Sequence, residues 1–556
     1  MRSNRSAPDK DARPKKSSMT KTLLAGFALI VAGPAVAQDL LSAPPTRSSV
    51  VANTAGLSAA VAQWNALRQS DALPFSSYAD FLMAHPGWPN EAALRKSAER
   101  ALQPDVASPG TVITFFMRYP PLTPGSSLRL AEAHAALGQT DYARAASRQA
   151  WIGGALSPED ESRALTRFAG NFTPDLHDQR MERLLWQRAT TAAQRQLSWT
   201  SPARQPVFAT RLALLTRAPD AASQLALSAD RARGDTGLFA DRITWLRMTG
   251  QEGTAQMLLA APRQLSVAPL DPAKWLEMLY ATAKNASAQG QSQAAYDIAR
   301  QVDDAYATGV VIRDRPIGER DIYTNLTWLA GITALNRLNR PADAIGMFDR
   351  YAKAARSPQT ISKGLYWAGR AAQADNRRDE STEFYRRAAG YFDQFYGQLA
   401  SERLGVAISF PASAGTVEIS ANERDSFNKR EVVRVAELLG QQGDWANQSF
   451  FIRTISMAAT SITDHALALE LARRIARPDL AVMIGRSAGI NGYRDYIRAG
   501  FATVPVSADN LLNWTMIHSI ARQESQFDRK IVSRAGARGT MQLMPGTARE
   551  TAGFIG

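Results

Sequence analysis

Residues 511–524 read LLNWTMIHSIARQE and close on the pair Glu524-Ser525. Laid on a helix at about 100° per residue, Trp514, Met516, Ile517, Ile520 and Ala521 share the side that carries Glu524, and Asn513 alone interrupts them. Thr515, His518, Ser519, Arg522 and Gln523 take the other side. A carboxyl held on an apolar face loses solvation of its charged form, so its pKa rises and it stays protonated near neutrality. A proton held that way is what a general acid needs. The competing reading is a helix-end glutamate that swings into solvent or accepts from a loop amide.

The residues that follow add to the first reading. SRAGARG (533–539) places Gly536 and Gly539 where backbone must bend or approach closely. Met541-Gln542-Leu543-Met544 then sets one amide side chain among apolar neighbours, and Pro545 opens another helix. An apolar cleft with one directional amide suits an N-acetyl sugar, whose acetamido group needs both a greasy wall and a hydrogen-bond partner. A two-carboxylate hydrolase would need a second acid at roughly 5–9.5 Å. The nearby candidate is Asp528, which reads better as a turn-stabilising side chain.

Other chemistries are poorly supplied. The chain has no cysteine, which excludes disulfides, thiolate nucleophiles and an acylated cysteine anchor. Its five histidines, His85, His134, His177, His465 and His518, show no metal-ligand spacing, so neither a metal nor an organic cofactor is expected. The net charge is +14, of which the first 37 residues carry +5. No dense Lys/Arg block interleaved with aromatics follows, so nucleic acid is not an expected partner.

The elements that must position these residues read as all-α. From about residue 50 to Gly405 the sequence alternates short helices and turns, with a recurring hairpin in ALGQTDYARA (136–145), MTGQEGTAQM (248–257), AQGQSQAAYD (288–297) and RLNRPADAIG (337–346). In each, a Gly or Asn turn residue precedes an Ala by five positions, as expected of a helix C-cap leading into a closely packed second helix. One such pair cannot bury its own apolar face, so the pairs are expected to stack as a solenoid over 50–405. The Pro-, Ser- and Gly-rich run after Val406 is a linker, and helices resume in REVVRVAELLG and HALALELARRIA, giving a helical linker domain over 406–505. Pro505, Ser507 and Asp509 open the last segment, 506–556.

That last segment closely resembles the lytic murein transglycosylases of the soluble, periplasmic type, whose catalytic domain has a goose-type lysozyme-like fold. The family's Glu-Ser pair corresponds to Glu524-Ser525, and its Ser-x-x-Gly-Ala-x-Gly-x-Met-Gln-x-Met-Pro-x-Thr-Ala motif to Ser533 through Ala548; Thr540 stands where Leu is usual. FLMAHPGWPNEAALR (81–95) and FDQFYGQLASERLG (392–405) are also similar to family features. The resemblance implies a superhelical ring domain, a linker domain and the start of a lysozyme-like catalytic domain. It further implies Glu524 as the catalytic acid and then base, with Ser533, Gln542 and Met544 lining the glycan cleft. Ser525, Gly536, Gly539 and Pro545 would support them. The substrate would be peptidoglycan glycan strands, and the product a 1,6-anhydromuramoyl end. From Asp509 to Gly556 there are 48 residues, few for a domain core of its own. The family's Asn-rich motif and its Ala-Tyr-Asn-Ala-Gly-type motif have no counterpart here, so the chain is expected to be C-terminally truncated and inactive or nearly so. A non-catalytic helical-repeat protein that binds the cell wall is the reading of a different class.

MTKTLLAGFALIVAGPAVAQ, from Met19, has a basic start, an apolar run from Leu23 to Ala32 and small residues at Ala35 and Ala37. It is expected to be a secretory signal over 1–37, with Met19 the true start and Gln38 the mature end. No other run reaches the ~20 apolar residues of a membrane span, so periplasmic localisation without stable membrane insertion is expected.

Overall fold

The computed structural model describes residues 47–228, 234–263, 265, 267–408 and 417–555. The expected signal segment and residues 409–416 of the expected linker lie outside them. Among the described residues the secondary structure is helical throughout, with two isolated bridges, Val532 to Arg538 and Arg538 to Leu543, and no strand. The all-α expectation holds.

Local sequence explains where the helices begin. Six of them start at Ser-Pro, Thr-Pro or Asp-Pro: Ser108, Thr123, Ser157, Thr173, Asp271 and Ser357 each accept the backbone N–H three residues on, and Pro occupies the first helical position. Helix ends are explained equally well. Gly138, Gly250, Gly290 and Asn339 all have positive φ, and the Ala five positions after each, Ala143, Ala255, Ala295 and Ala344, is buried at the contact between paired helices. At Gly138 the chain reverses through Gly138 N to Ala135 O and Gln139 N to His134 O, a paired closure that satisfies the last carbonyls of the helix. The same reversal recurs at Arg188, Asn376 and Gly443, where a residue five positions on (Ala193, Ser381, Gln448) is again buried. These turns lack the Gly-to-Ala signature and were invisible to it.

The core is divided. One large apolar cluster joins Trp186 to helices between Ala240 and Ala400, and smaller ones occupy the hairpins between Leu128 and Leu238. Between the smaller clusters lie buried arginines. Arg180 donates to the Trp151 and Gly154 carbonyls and to Glu161 while lying 3.9 Å over the Trp151 ring, and Arg211 donates to Asp241 and Glu182. Another large cluster unites residues 57–133 with residues 427–496. Trp64 and Trp88 meet Phe451 edge to face at 5.2 and 5.0 Å, Trp88 Nε1 donates to Glu431 at 2.7 Å, and His85 Nδ1 lies 3.0 Å from the same carboxylate. The first helices of the expected solenoid thus share one core with the expected linker domain, and the FLMAHPGWP stretch supplies the joint.

Candidate active site

The chain before the site is fixed by a buried arginine. Arg477, fully buried, donates to both oxygens of Asp479, to Gln448 Oε1 and to Ser449 Oγ. Its guanidinium stacks 3.8 Å from the ring of Trp445, whose Nε1 donates to Asp528 Oδ1 at 2.7 Å. Arg529 also approaches that ring, at 4.5 Å. Asp528 accepts Lys530 N as well, so it serves as a turn and docking group.

The helix that ends at Glu524 begins at Trp514, after a 3₁₀ turn over Ala508–Asn513. It packs through His518 and Ala521, against Val482, Val504 and Phe527. His518 Nε2 accepts Val504 N, and Arg522 Nε donates to the Gly500 carbonyl. The expected burial of the apolar face is therefore corrected. Trp514, Met516 and Ile520 are exposed, Met516 by 62 %, and Glu524 is exposed beside them. Polar side chains of the opposite face win the packing side because they cap loop backbone groups that would otherwise go unpaired. Among the described residues no hydrogen bond reaches the Glu524 carboxylate, and the burial expected from the helical wheel is absent.

Ser525 joins the helix end to the loop. Its buried hydroxyl donates to the Thr540 carbonyl at 2.8 Å and accepts Phe527 N at 3.1 Å. The loop then folds on itself. Ser533 N donates to the Ala537 carbonyl while Ser533 Oγ accepts Ala537 N, and Gly536 and Gly539 take φ of +90° and +72°, as a turn of this tightness requires. Gln542, also at positive φ, turns its amide N–H groups onto the Ile531 and Gly539 carbonyls. Its amide therefore braces the loop. Met544 is exposed at the loop's edge, and Pro545 begins the helix Pro545–Ile555 as expected. Trp445, His518 and Arg522 were not singled out from sequence. Each acts through partners far along the chain or through backbone groups, which no spacing pattern records. Among the described residues no cluster of His, Asp and Glu could hold a metal ion, and no helix is long and apolar enough to cross a membrane.

Residues 507–554, which carry Glu524-Ser525 and the loop after it, match the family model of the Transglycosylase SLT domain. That segment is similar to SLT-type transglycosylase domains. The protein's helical architecture is similar to that of the lytic transglycosylase Slt from Pseudomonas aeruginosa, solved as an inactive mutant with Glu replaced by Gln. The two share 20 % identity over 91 % of this chain and 80 % of that one, with a TM-score of 0.50. Two further structures match at 18 % identity and a TM-score of 0.48. One is the 70-kDa soluble lytic transglycosylase in complex with bulgecin A, over 92 % of this chain and 79 % of that one. The other is the 70-kDa soluble lytic transglycosylase of Escherichia coli, over 91 % and 79 %. Among curated proteins no sequence matches. In this SLT-like segment the Ser525 hydroxyl joins the Glu-Ser pair to the loop that carries Met541 and Gln542.

Proposed function

We propose that the protein cleaves the β-1,4 bond between N-acetylmuramic acid and N-acetylglucosamine in peptidoglycan. Glu524 is the acid and then the base. Its proton passes to the glycosidic oxygen as the C1–O bond breaks, and the substrate's own acetamido oxygen steadies the cation. The resulting carboxylate takes the proton of the C6 hydroxyl as that oxygen closes on C1, which gives the 1,6-anhydro end and returns Glu524 to its acid form. No water enters the product and no cofactor is needed. Ser533, Gln542 and Met544 face the glycan, Gln542 through a carboxamide whose orientation the loop carbonyls set. The observation that carries this reading is the match of 507–554 to the SLT family, with Glu524-Ser525 and the loop tied together inside it. Export through cleavage before Gln38 places the protein in the periplasm. The exposure of Glu524 favours a second reading, a helical protein that binds the wall without cutting it.

The test adds the purified chain to sacculi and follows soluble products. Release of 1,6-anhydromuropeptides, cut by at least ~10²-fold in Glu524→Gln, is the expected result. Reducing ends in their place, or anhydro products retained by the variant, would overturn the assignment, and binding without product would support the second reading.

A further inference from the structure

A cavity of about 420 Å³ lies where the helices Pro341–Ala354, Pro358–Ala374 and Arg378–Ala389 meet the 3₁₀ turn Arg494–Gly500. Five cations line it, Arg313, Lys353, Arg386, Arg387 and Arg494, and no carboxylate does. They come from four separate stretches of the chain, so no single helix face accounts for them. The acids around the rim satisfy only part of this charge. Lys353 pairs with Asp349 at 2.5 Å and Arg386 with Glu383, each within its own helix. Arg387 reaches Asp349 only at 4.0 Å, beyond hydrogen-bond length. Arg494 gives Nη1 to the Gly390 carbonyl at 2.9 Å and lies 5.0 Å from the Tyr391 ring; its charge reaches Asp393 but forms no ion pair with it among the described residues. The Arg313 guanidinium has neither a hydrogen bond nor an ion pair among the described residues. Its backbone is nonetheless held, because Arg356 donates Nε to the Arg313 carbonyl at 2.7 Å and Nη2 to Asp314 at 3.0 Å.

Arg313, Arg387 and Arg494 thus border one space with charge to spare, and they repel one another unless an anion lies between them. The walls narrow the choice of anion. Ala352 and Leu365, on the apolar side, are only 4 % and 2 % exposed, so they offer little surface to a hydrocarbon. A neutral sugar leaves the guanidiniums unpaired. A carboxylate brings one charge and two oxygens in one plane, enough for a single guanidinium fork. A phosphate brings about two charges at neutral pH and oxygens that point in several directions, so guanidiniums on different sides can each bind it. We infer that this cavity binds a phosphate or diphosphate group, held by Arg313, Arg387 and Arg494 while Lys353 and Arg386 stay with their own acids. Arg494 follows the helix Pro478–Ile490, whereas Arg313 and Arg387 belong to the solenoid, so the ligand fastens the end of the solenoid to the helices that precede the Glu524 segment. The inference stands apart from the transglycosylase reading, since none of these residues lies within 507–554.

The experiment is calorimetric titration of the full chain with inorganic diphosphate, inorganic phosphate and acetate at about 0.15 M salt, where isolated exposed charges are largely screened. Arg313 is exposed and its side chain holds no partner, so Arg313→Gln should fold, which its melting curve checks. Arg453→Gln, at an exposed arginine that does not line the cavity, is the control. The expected result is one diphosphate per chain, bound roughly ten-fold more tightly than phosphate, weakened roughly ten-fold or more by Arg313→Gln and unchanged by Arg453→Gln. Bound diphosphate should also slow amide exchange at 386–391 and 494–500 together. Absence of diphosphate binding, equal binding by the two variants, acetate bound as tightly as diphosphate, or no slowing at those two stretches would overturn the inference. Vesicles of phosphatidylcholine with and without phosphatidic acid identify the source of the phosphate. Arg313-dependent binding to the phosphatidic acid vesicles assigns the site to a lipid headgroup, diphosphate binding without vesicle binding assigns it to a soluble phosphate compound, and either result upholds the site.

Discussion

Replacing Phe451 by Ala tests whether the chain's first helices depend on helices that lie far along it. Phe451 is fully buried and meets Trp64 and Trp88 edge to face, and nearby Arg68, which reaches Asn447 across 379 residues, lies over both Trp64 and Phe450. Truncating a buried Phe costs about 3–5 kcal/mol, from lost transfer energy and the cavity left behind. The two aromatic pairs put the value toward the upper part of that range. A protein with several core clusters need not unfold in one step, so a single midpoint is a poor readout. Amide hydrogen exchange resolved by segment is a better one. Because Trp64 and Trp88 lose the same neighbour, residues 57–119 should exchange faster by roughly a hundred-fold or more, together with residues 431–458, at protected amides that open with this core. Helices of the separate cluster between Ala240 and Ala400 should change little. Acceleration confined to 431–458, with 57–119 unaffected, would refute the shared core.

Three further outcomes are expected. A Cβ on Gly397 would intrude on the Tyr391 carbonyl oxygen, so Gly397→Ala should displace the 391–397 turn at the cost of about 1–3 kcal/mol, measured by thermal melting. Ser525→Ala removes the donor to Thr540 and an acceptor of Phe527 N. It should cost about 1–3 kcal/mol locally and speed exchange in 525–544 without moving the global transition. Burial holds the Asp393 carboxyl above its usual range, against the opposing pull of Gln394, its own backbone N–H, Arg522 and Arg494. The folded state therefore holds that proton more tightly than the unfolded state. The resulting stabilisation is present below the ordinary Asp value near ~3.9 and lost as pH rises through the raised folded value. Asp393→Asn should thus gain melting temperature relative to the unsubstituted protein on going from pH 4 to pH 7; a constant difference would show that Asp393 titrates as it does in the unfolded chain.

What the sequence disclosed divides along physical lines. Signals carried by consecutive residues were legible: the Gly- and Asn-capped hairpins, and the Glu-Ser pair with its Gly-spotted loop. Cap signals such as Ser157-Pro158 or Asp271-Pro272 were also written there for any reader of N-caps. The reversals at Arg188 and Asn376 were not, because an arginine in a left-handed turn leaves no compositional mark and Asn376 is followed five positions on by Ser381 in place of Ala. Nor was the joint between His85, Trp88 and Glu431, which needs three-dimensional closure over more than three hundred residues. The misjudged face of the Glu524 helix is the most instructive case. A helical wheel ranks sides by apolarity, and by that measure Met516 and Ile520 outrank His518, Arg522 and Ser525. Yet each of the latter three binds a backbone group of a neighbouring loop, so in the folded chain these polar residues pack beside Ala521 while Met516 and Ile520 stay exposed.

The placement of Glu524 follows from that same substitution of polar contacts for apolar burial. Only Val482, Ala521 and Phe527 form the buried centre of the apolar cluster beneath the site. Such a small patch contributes a few kcal/mol at most, too little to fix a helix end and a loop against the preceding helices. The remaining constraint is a chain of directional contacts: Asp479 and Gln448 orient Arg477, Arg477 orients Trp445, Trp445 holds Asp528, and the Ser525 hydroxyl, three residues before Asp528, holds the loop through Thr540. Directional contacts fix orientation more strictly than apolar burial of the same free energy does. For the acid and base role proposed for Glu524, a fixed direction matters more than added stability. On this argument the segment carrying Glu524 is ordered from outside, by the 445–479 helices. Substitutions at Trp445 or Arg477 should then disturb the geometry of the Glu-Ser pair while leaving the large apolar clusters of the chain intact.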